Sequence, residues 1–155
     1  MIATTDHLCA ISWRARPGSF VSLMTLYESN YIRLGWILPE ARSLAGCHVS
    51  TASDDPNLHL EVVERCRYTT TLNLSYVLES EAGPVLAPDL QVRVYHDARL
   101  AEACDSARTH RHEHLDRLRA ELRRELDQRW ARNVLLNKWL EYCAERGHRF
   151  HPPGA

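Results

Sequence analysis

The sequence predicts a small α+β domain: an N-terminal helix, an antiparallel β-meander of three to five strands, and a C-terminal helical region packed on one face of the sheet. Two patterns lead to this fold class. The middle of the chain alternates apolar and polar residues, which is typical of strands with one face on a core and one face in water. Towards both ends, apolar residues instead recur three or four positions apart, which is the spacing of a single helix face.

The composition is that of an ordinary globular protein. The chain has 155 residues, of which 45% are hydrophobic and 25% charged, with a net charge of −1. This length suits one domain, and the near-zero charge provides no field to attract nucleic acid or an acidic membrane. Neither a signal peptide nor a long apolar run is evident, so we expect a cytoplasmic protein with no membrane attachment. The predicted division is a flexible N-terminal tail (1–17), a single α+β domain (18–147) and a C-terminal tail (148–155).

The first helix has a clear start and end. Ser19 follows Pro17 and Gly18 and can cap free N–H groups, and an apolar stripe begins at Phe20. Pro39 ends the helix, because the residue before a proline is disfavoured in the helical conformation.

The sheet is predicted from three alternating segments, Leu58–Val62, Tyr68–Leu78 and Leu90–Tyr95, with a weaker first strand near 47–53. Turn-forming residues at 54–57 and 81–84 separate them. In the predicted register, Leu58, Leu60 and Val62 lie opposite Leu74, Leu72 and Thr70, and Leu90 lies near Leu78. These pairings keep the apolar side chains on one face. The other face is a candidate recognition surface that carries Thr69, Thr71, Asn73, Ser75, Arg93 and Tyr95.

Two apolar stripes predict the C-terminal helix. They comprise Leu115, Leu118, Leu122, Leu126 and Trp130, and then Leu135, Leu136, Trp139, Leu140 and Cys143, with a glycine stop at Gly147. One straight helix from 113 to 146 would measure roughly 50 Å. Because that exceeds a domain of this size, we expect a break, a bend or a first half that projects outward.

Five cysteines are scattered through the chain and none forms a CxxC pair, which argues against a zinc knuckle or a redox motif. In a reducing compartment we expect free thiols that act as small buried hydrophobic residues. They are Cys9, Cys47, Cys66, Cys104 and Cys143.

Four segments resemble the YqiB-like family, proteobacterial proteins of unknown function. They are LYESNYIRLGWILP (Leu26–Pro39), ERCRYTTTLNL (Glu64–Leu74), VRVYHDARLAEAC (Val92–Cys104) and NKWLEYCAERG (Asn137–Gly147). The resemblance runs in the same order from Ser19 to Gly147. The chain departs from the family pattern between Thr109 and Trp130, where an Arg/Glu-rich helix stands in place of a Tyr-Pro-Asn turn and a His-Gln pair. The resemblance implies a small bacterial protein and assigns no functional residue.

Polar residues gather at one predicted end of the sheet. Continuing the register through His96 places Glu64, His96 and Glu102 on the buried face, where a histidine between carboxylates can act as a general base or a metal ligand. The favoured alternative is a structural ion-pair network with Arg65 and Arg67. A bulge after His96 would reverse the faces, and residues 100–104 also fit one helical turn. The candidate binding residues are Glu64, Arg65, Arg67, Tyr68, Arg93, His96, Asp97 and Glu102; we assign no catalytic residue, metal ligand or cofactor.

Two further features have ordinary explanations. His110, His112 and His114 have the spacing of metal ligands, but they lie at the charged start of a helix without an HExxH arrangement. The arginines of the C-terminal helix could follow phosphates, but interleaved acids cancel most of their field, so a solvated helix face is favoured. These arginines are Arg117, Arg119, Arg123, Arg124, Arg129 and Arg132.

Neither a GxSxG nucleophile motif nor a glycine-rich phosphate loop is present. The sequence therefore favours a non-enzymatic binding, adaptor or regulatory protein, a monomer or homodimer, whose partner is another protein or a small ligand. The alternative is a small enzyme or ligand-binding protein that uses His96, Asp97 and Glu102. A nucleic-acid binder acting through the Arg-rich helix is the third hypothesis.

Overall fold

The structure, a computed structural model, describes residues 18–104 and 115–151, with side chains in the last helix from Arg123 onward. Its five strands form one sheet in chain order, and every neighbouring pair is antiparallel. This arrangement confirms the predicted α+β meander. The elements are α1 (Phe20–Ile37), β1 (Cys47–Ser50), β2 (Asn57–Arg65), β3 (Thr69–Ser80), β4 (Gly83–Tyr95), β5 (Leu100–Cys104) and α2 (Leu115–Glu145).

Helix α1 begins and ends where the sequence predicts. The backbone N–H of Ser22 donates to Ser19 Oγ over 3.1 Å, which caps the first turn. At the other end, Leu38 leaves the helical conformation immediately before Pro39. The predicted cap and the predicted stop are both confirmed.

The strands pair at different residues from those predicted, but their apolar residues still share one face. Leu60 pairs with Leu74 and Val62 with Leu72, two residues from the predicted partners. Leu90 pairs with Leu74 instead of lying near Leu78, because β4 begins at Gly83 after a two-residue turn. Gly83 has a φ of 113°, a conformation that glycine adopts without strain, so the hairpin closes tightly. Shifts by even numbers keep the apolar residues on one face.

A bulge in β2 reverses the face of one predicted site residue. The register shifts between Val62 and Glu64, so that Glu64 lies opposite Thr71 on the face away from the helices. The prediction that Glu64 faces the core is therefore wrong.

The chain also turns where the sequence predicts a continuing strand. A turn at 96–99, with Arg99 at a φ of 55°, sends β5 back along β4, and Glu102 lies opposite Arg93. The predicted continuation of the strand through His96, which places Glu102 on the buried face, is wrong for this reason. Glu102 therefore lies on the same face as Arg93, and at this edge of the sheet it also borders the two helices.

The core lies between the apolar face of the sheet and both helices, as predicted. Leu34 of α1, Trp139 and Leu140 of α2, and Leu72 and Val92 of the sheet are all buried in one cluster. The opposite face of the sheet carries mostly polar side chains and is called the open face below.

Helix α2 is continuous over 31 residues, about 46 Å at 1.5 Å per residue. Every side chain from Arg123 to Gln128 is exposed, whereas Asn133, Leu136 and Leu140 are buried. Of the three alternatives predicted for this long helix, the described side chains therefore fit a projecting first part. Leu126, predicted to belong to the packed stripe, is exposed; the side chains of Leu115, Leu118 and Leu122 lie outside the described residues.

The cysteines depart from the prediction. Cys143 is buried and Cys104 is partly exposed, but Cys47 and Cys66 are exposed. Cys47 lies on the outer edge strand and Cys66 in the turn between β2 and β3, so neither is covered by a second layer. The expectation of buried thiols is wrong for these two, and Cys9 lies outside the described residues.

The described part of the predicted C-terminal tail packs against the core. His148 and Phe150 are both buried, and the Phe150 N–H donates to the Ile37 carbonyl oxygen over 2.7 Å. This segment therefore covers the end of α1. In the part of the chain that the structure describes, no helix is both long enough and apolar enough to span a membrane.

Candidate functional site

The eight predicted site residues do not form one cluster. Glu64, Arg93 and Glu102 lie on the open face, whereas His96 and Asp97 lie in the turn between β4 and β5. On the open face, the Tyr95 hydroxyl donates to Glu102 Oε1 over 2.6 Å. The predicted residues therefore lie towards one end of the sheet, but on both of its faces.

Two of the predicted residues form an exposed pair in the turn between β2 and β3. The Arg67 guanidinium carbon lies 5.2 Å from the centre of the Tyr68 ring. The Tyr68 carbonyl oxygen accepts a hydrogen bond from the His96 N–H over 2.9 Å, which holds the two turns together. The side chains of Arg67 and Tyr68 themselves remain open to solvent.

His96 is held on the side of the sheet that faces the helices. Its Nε2 lies 2.8 Å from Thr70 Oγ1, and Thr70 is buried. This bond orients the imidazole, and Nδ1 has no hydrogen-bond partner among the described residues. Of the predicted histidine–carboxylate group, only Asp97 lies near it.

A cleft of about 830 Å³ opens beside His96. Its walls are the second half of α1, the segment 38–43 that follows it, and the turn between β4 and β5. We call it the His96 cleft. Its polar side chains include Arg42, His96, Asp97 and Arg99, and its apolar side chains include Tyr31, Ile32, Leu34, Leu38 and Val94.

Burial and nearby positive charges lower the pKa of His96. Burial lowers the pKa of His96, the positive charge of Arg42 lowers it further, and Arg65 adds a smaller effect of the same sign. The charge of Asp97 raises the pKa of His96 but does not outweigh these effects. Arg42 Nη2 lies 2.8 Å from Asp97 Oδ1, and both side chains are more than half exposed. The imidazole is therefore an uncharged group beside two arginines.

Sequence reasoning missed Arg42 and Arg99. Arg42 meets Asp97 across 55 positions of the chain, and no local pattern marks such a contact. Arg99 enters the cleft because the turn reverses at a residue with positive φ, which is uncommon for arginine. Pro39 gave the only usable signal, because it ends α1 and starts the segment that carries Arg42.

A second polar network, also missed, is buried at the C-terminal end of the domain. His148 Nδ1 lies 3.2 Å from Ser50 Oγ and His148 Nε2 lies 2.7 Å from Asp55 Oδ2. This order of groups is that of a hydrolase triad, but the His148 side chain is fully buried and the Arg149 N–H already donates to Ser50 Oγ. Such a closed network is structural, since it fastens the C-terminal segment to the first strands.

Within the described residues, the remaining candidates give no site. Among residues 18–104 and 115–151, no group of three or more His, Cys, Asp or Glu side chains could hold a metal ion. The His110, His112 and His114 set lies outside the described residues. On α2, Arg129 pairs with Glu125 over 3.3 Å, which agrees with a mixed, solvated face; the side chains of Arg117 and Arg119 are not described.

Comparisons with known proteins agree on one family. Residues 33–149 match the model of a family described as a protein of unknown function, DUF1249. The chain is 30% identical over 132 residues to the protein named "Uncharacterized protein YqiB" from Escherichia coli K12, covering 83% of this chain and 90% of that protein. The same values hold for YqiB of the CFT073 and O157:H7 strains. No solved structure matches. The chain therefore belongs to the DUF1249 family of YqiB-like proteins, as the four sequence segments predicted.

Proposed function

We propose that this protein is a non-enzymatic binding protein whose His96 cleft holds a small molecule with an acidic group and an apolar body. One observation carries the proposal: Arg42 and Arg99 line the same cleft as His96, whose pKa is lowered, and the cleft has an apolar wall. The volume of the cleft, about 830 Å³, lies within the range of roughly 300–1,000 Å³ that small-molecule sites occupy.

The acidic group of the ligand would bind to the two arginines. An exposed ion pair such as Arg42–Asp97 contributes only about 0–1 kcal/mol, so a ligand carboxylate or phosphate can replace Asp97 at little cost. Arginine is suited to this exchange because its guanidinium donates two parallel hydrogen bonds to such groups. Arg99 has no ion pair among the described residues, so its charge is available as well.

The apolar body of the ligand would pack on partly exposed side chains of α1 and the following segment. Tyr31, Ile32 and Ala41 all line the cleft and are only partly buried. Each Å² of apolar surface covered there stabilises the complex by about 25 cal/mol. A ligand with both parts would thus be oriented by Arg42 and Arg99 and would gain affinity from the apolar side chains of the cleft.

The placement of the acids favours binding over catalysis. A catalytic histidine is ordinarily oriented by a third group such as a carboxylate. Here Glu64 and Glu102 lie on the opposite face of the sheet, and Asp97 is engaged with Arg42. His96 is instead oriented by the Thr70 hydroxyl.

The second candidate is a small enzyme at the same cleft, favoured by the lowered pKa of His96, because a neutral imidazole can accept a proton as a general base. Release of 4-nitrophenol from 4-nitrophenyl acetate or phosphate, abolished in His96→Asn, would support it. Turnover equal to that of buffer would remove it.

Thermal unfolding with matched compounds tests the proposal. Phenyl phosphate, 4-phenylbutyrate and other small acids are compared with the corresponding alcohols and amides. An acid present at about ten times its Kd should stabilise the fold by about 1.4 kcal/mol, roughly 3 °C in Tm, and the alcohols should do much less. Arg42→Ala should remove the gain, and Arg124→Ala, an exposed arginine on α2, should keep it. Equal gains in both variants, or none from any acid, would contradict the proposal.

A further inference from the structure

A second concave surface lies between the two helices and the edge strand β5. Its volume is about 390 Å³, and it shares no lining residue with the His96 cleft. Its walls are the first half of α1, the strand β5, and α2 near Leu126 and Arg129. We call it the Tyr27 groove.

Most of this groove is apolar and open to solvent. Phe20 is 75% exposed and Leu126 is 53% exposed, and Met24 and Leu100 are partly exposed beside them. Large apolar side chains left this accessible on a groove wall provide the surface that an apolar ligand covers.

The polar end of the groove contains the hydroxyl of a buried tyrosine. Tyr27 is only 5% exposed, and its hydroxyl lies beside the side chains of Glu102 and Arg129.

Charges of both signs line the same groove. Glu102 accepts a hydrogen bond from Tyr95 through Oε1, and within the described residues it has no ion pair. Arg129 lies in the same wall and pairs with Glu125 through a partly exposed contact of 3.3 Å. The pKa of Tyr27 is raised to about 12. Burial is the largest cause, the charge of Glu102 raises the pKa further, and the charge of Arg129 lowers it. A carboxylate, a guanidinium and a hydroxyl therefore lie beside one apolar surface.

We propose that the Tyr27 groove binds a free α-amino acid with an apolar side chain. Its ammonium would lie against Glu102, its carboxylate against Arg129 and the Tyr27 hydroxyl, and its side chain along Phe20 and Leu126. A zwitterion matches the two charges together, whereas an amine or an acid alone would leave one of them unused. The small volume of the groove suits a ligand of this size.

NMR titration of the ¹⁵N-labelled full chain tests this site with three compounds that share one ring. L-Phenylalanine carries both charges, 2-phenylethylamine lacks the carboxylate, and 3-phenylpropionate lacks the ammonium. We expect L-phenylalanine to shift the amides of Tyr27, Leu100 and Glu102, and each analogue to bind there at least about tenfold more weakly, since one charge-assisted contact is lost. Binding of 3-phenylpropionate in the His96 cleft would instead shift residues 38–43, so the two sites are distinguished in one spectrum.

Two substitutions assign the charges. Glu102→Gln should weaken L-phenylalanine about tenfold and leave 3-phenylpropionate unchanged, and Arg129→Gln should weaken L-phenylalanine and leave 2-phenylethylamine unchanged. Glu61→Gln, an exposed carboxylate on the open face, is the matched control and should bind as the native chain does. The proposal is overturned if L-phenylalanine shifts none of the groove amides, if an analogue binds as tightly, or if both substituted proteins retain native affinity.

Discussion

At the scale of single residues, the Asp55 carboxylate links several parts of the chain. Three donors converge on its carboxylate: the Tyr76 hydroxyl over 2.6 Å, His148 Nε2 over 2.7 Å and the Tyr142 hydroxyl over 3.2 Å. Burial raises the pKa of Asp55, but these hydrogen bonds outweigh it and hold the pKa below its ordinary value of 3.8. The carboxylate therefore joins the first strands, the end of α2 and the C-terminal segment.

Asp55 should make the free energy of unfolding depend on pH in the acidic range. Because its folded pKa lies below its unfolded pKa, its contribution to the free energy of unfolding is fully present above the unfolded value and is lost as the pH falls through the folded value. Asp55→Asn should lower the free energy of unfolding by about 2 kcal/mol at pH 7 and flatten its decline in acid. Urea unfolding between pH 7 and pH 3 measures both effects.

The neighbouring Asp54 provides the control. It is exposed and has a φ of 59°, a conformation that asparagine also tolerates, so Asp54→Asn should leave stability and its pH dependence nearly unchanged. Identical pH profiles for Asp55→Asn and the native chain would contradict the role assigned to Asp55.

The cysteines give a second prediction at this scale. Cys47 and Cys66 are exposed, whereas burial raises the pKa of the Cys143 thiol to about 11. Because the thiolate is the reactive form, iodoacetamide should alkylate Cys47 and Cys66 in the native protein and Cys143 only after unfolding in urea. Peptide mass spectrometry after timed labelling reads each site. Early modification of Cys143 would contradict its buried position.

At the scale of elements, Asn133 of α2 closes the free edge of the sheet. Its Oδ1 accepts the Ala103 N–H over 2.8 Å, and its Nδ2 donates to the Ala103 carbonyl oxygen over 3.4 Å. The side-chain amide thus replaces the peptide of a sixth strand and satisfies an edge that would otherwise be left unpaired. The same residue is joined to α1, since Asn30 Nδ2 lies 3.2 Å from Asn133 Oδ1.

Removal of this amide should loosen β5 before the rest of the sheet. Asn133→Ala should lower the free energy of unfolding by about 1–3 kcal/mol, because buried groups lose their partners. Hydrogen exchange should accelerate most at the Ala103 amide. Gln128→Ala, an exposed amide on the same helix, should change neither quantity. Unchanged exchange at Ala103 in Asn133→Ala would rule out this role.

The sequence predicts the elements better than their irregularities. Alternation of Leu58, Leu60, Val62 and of their neighbours suffices to assign the apolar face, since any shift by two residues preserves it. The bulge beside Val62 and the turn at 96–99 are different, because the bulge contains no turn-forming residue and the turn contains only Asp97. Arg99 adopts positive φ through its tertiary surroundings, which local propensity does not encode.

At the scale of the whole molecule, the fold class and the family follow from the sequence, whereas the candidate sites do not. The His96 cleft joins α1, the segment after it and the turn between β4 and β5, so its residues meet only once the chain has folded. The predicted cluster contained His96 and Asp97 because they lie in a recognisable polar segment. Arg42 and Arg99 required the tertiary structure. The predicted adaptor role, with a protein partner, stays a prediction.

The most direct test of the central proposal is to determine where small acids bind on the protein. An NMR screen of the ¹⁵N-labelled chain against a library of carboxylates and phosphate monoesters with apolar bodies measures it. We predict that the compounds that bind shift amides of residues 38–43 and 94–99, and that Arg42→Ala abolishes these shifts. Hits that shift only the open face of the sheet, or shifts in the cleft that persist in Arg42→Ala, would contradict the proposal that the His96 cleft is an acid-binding site.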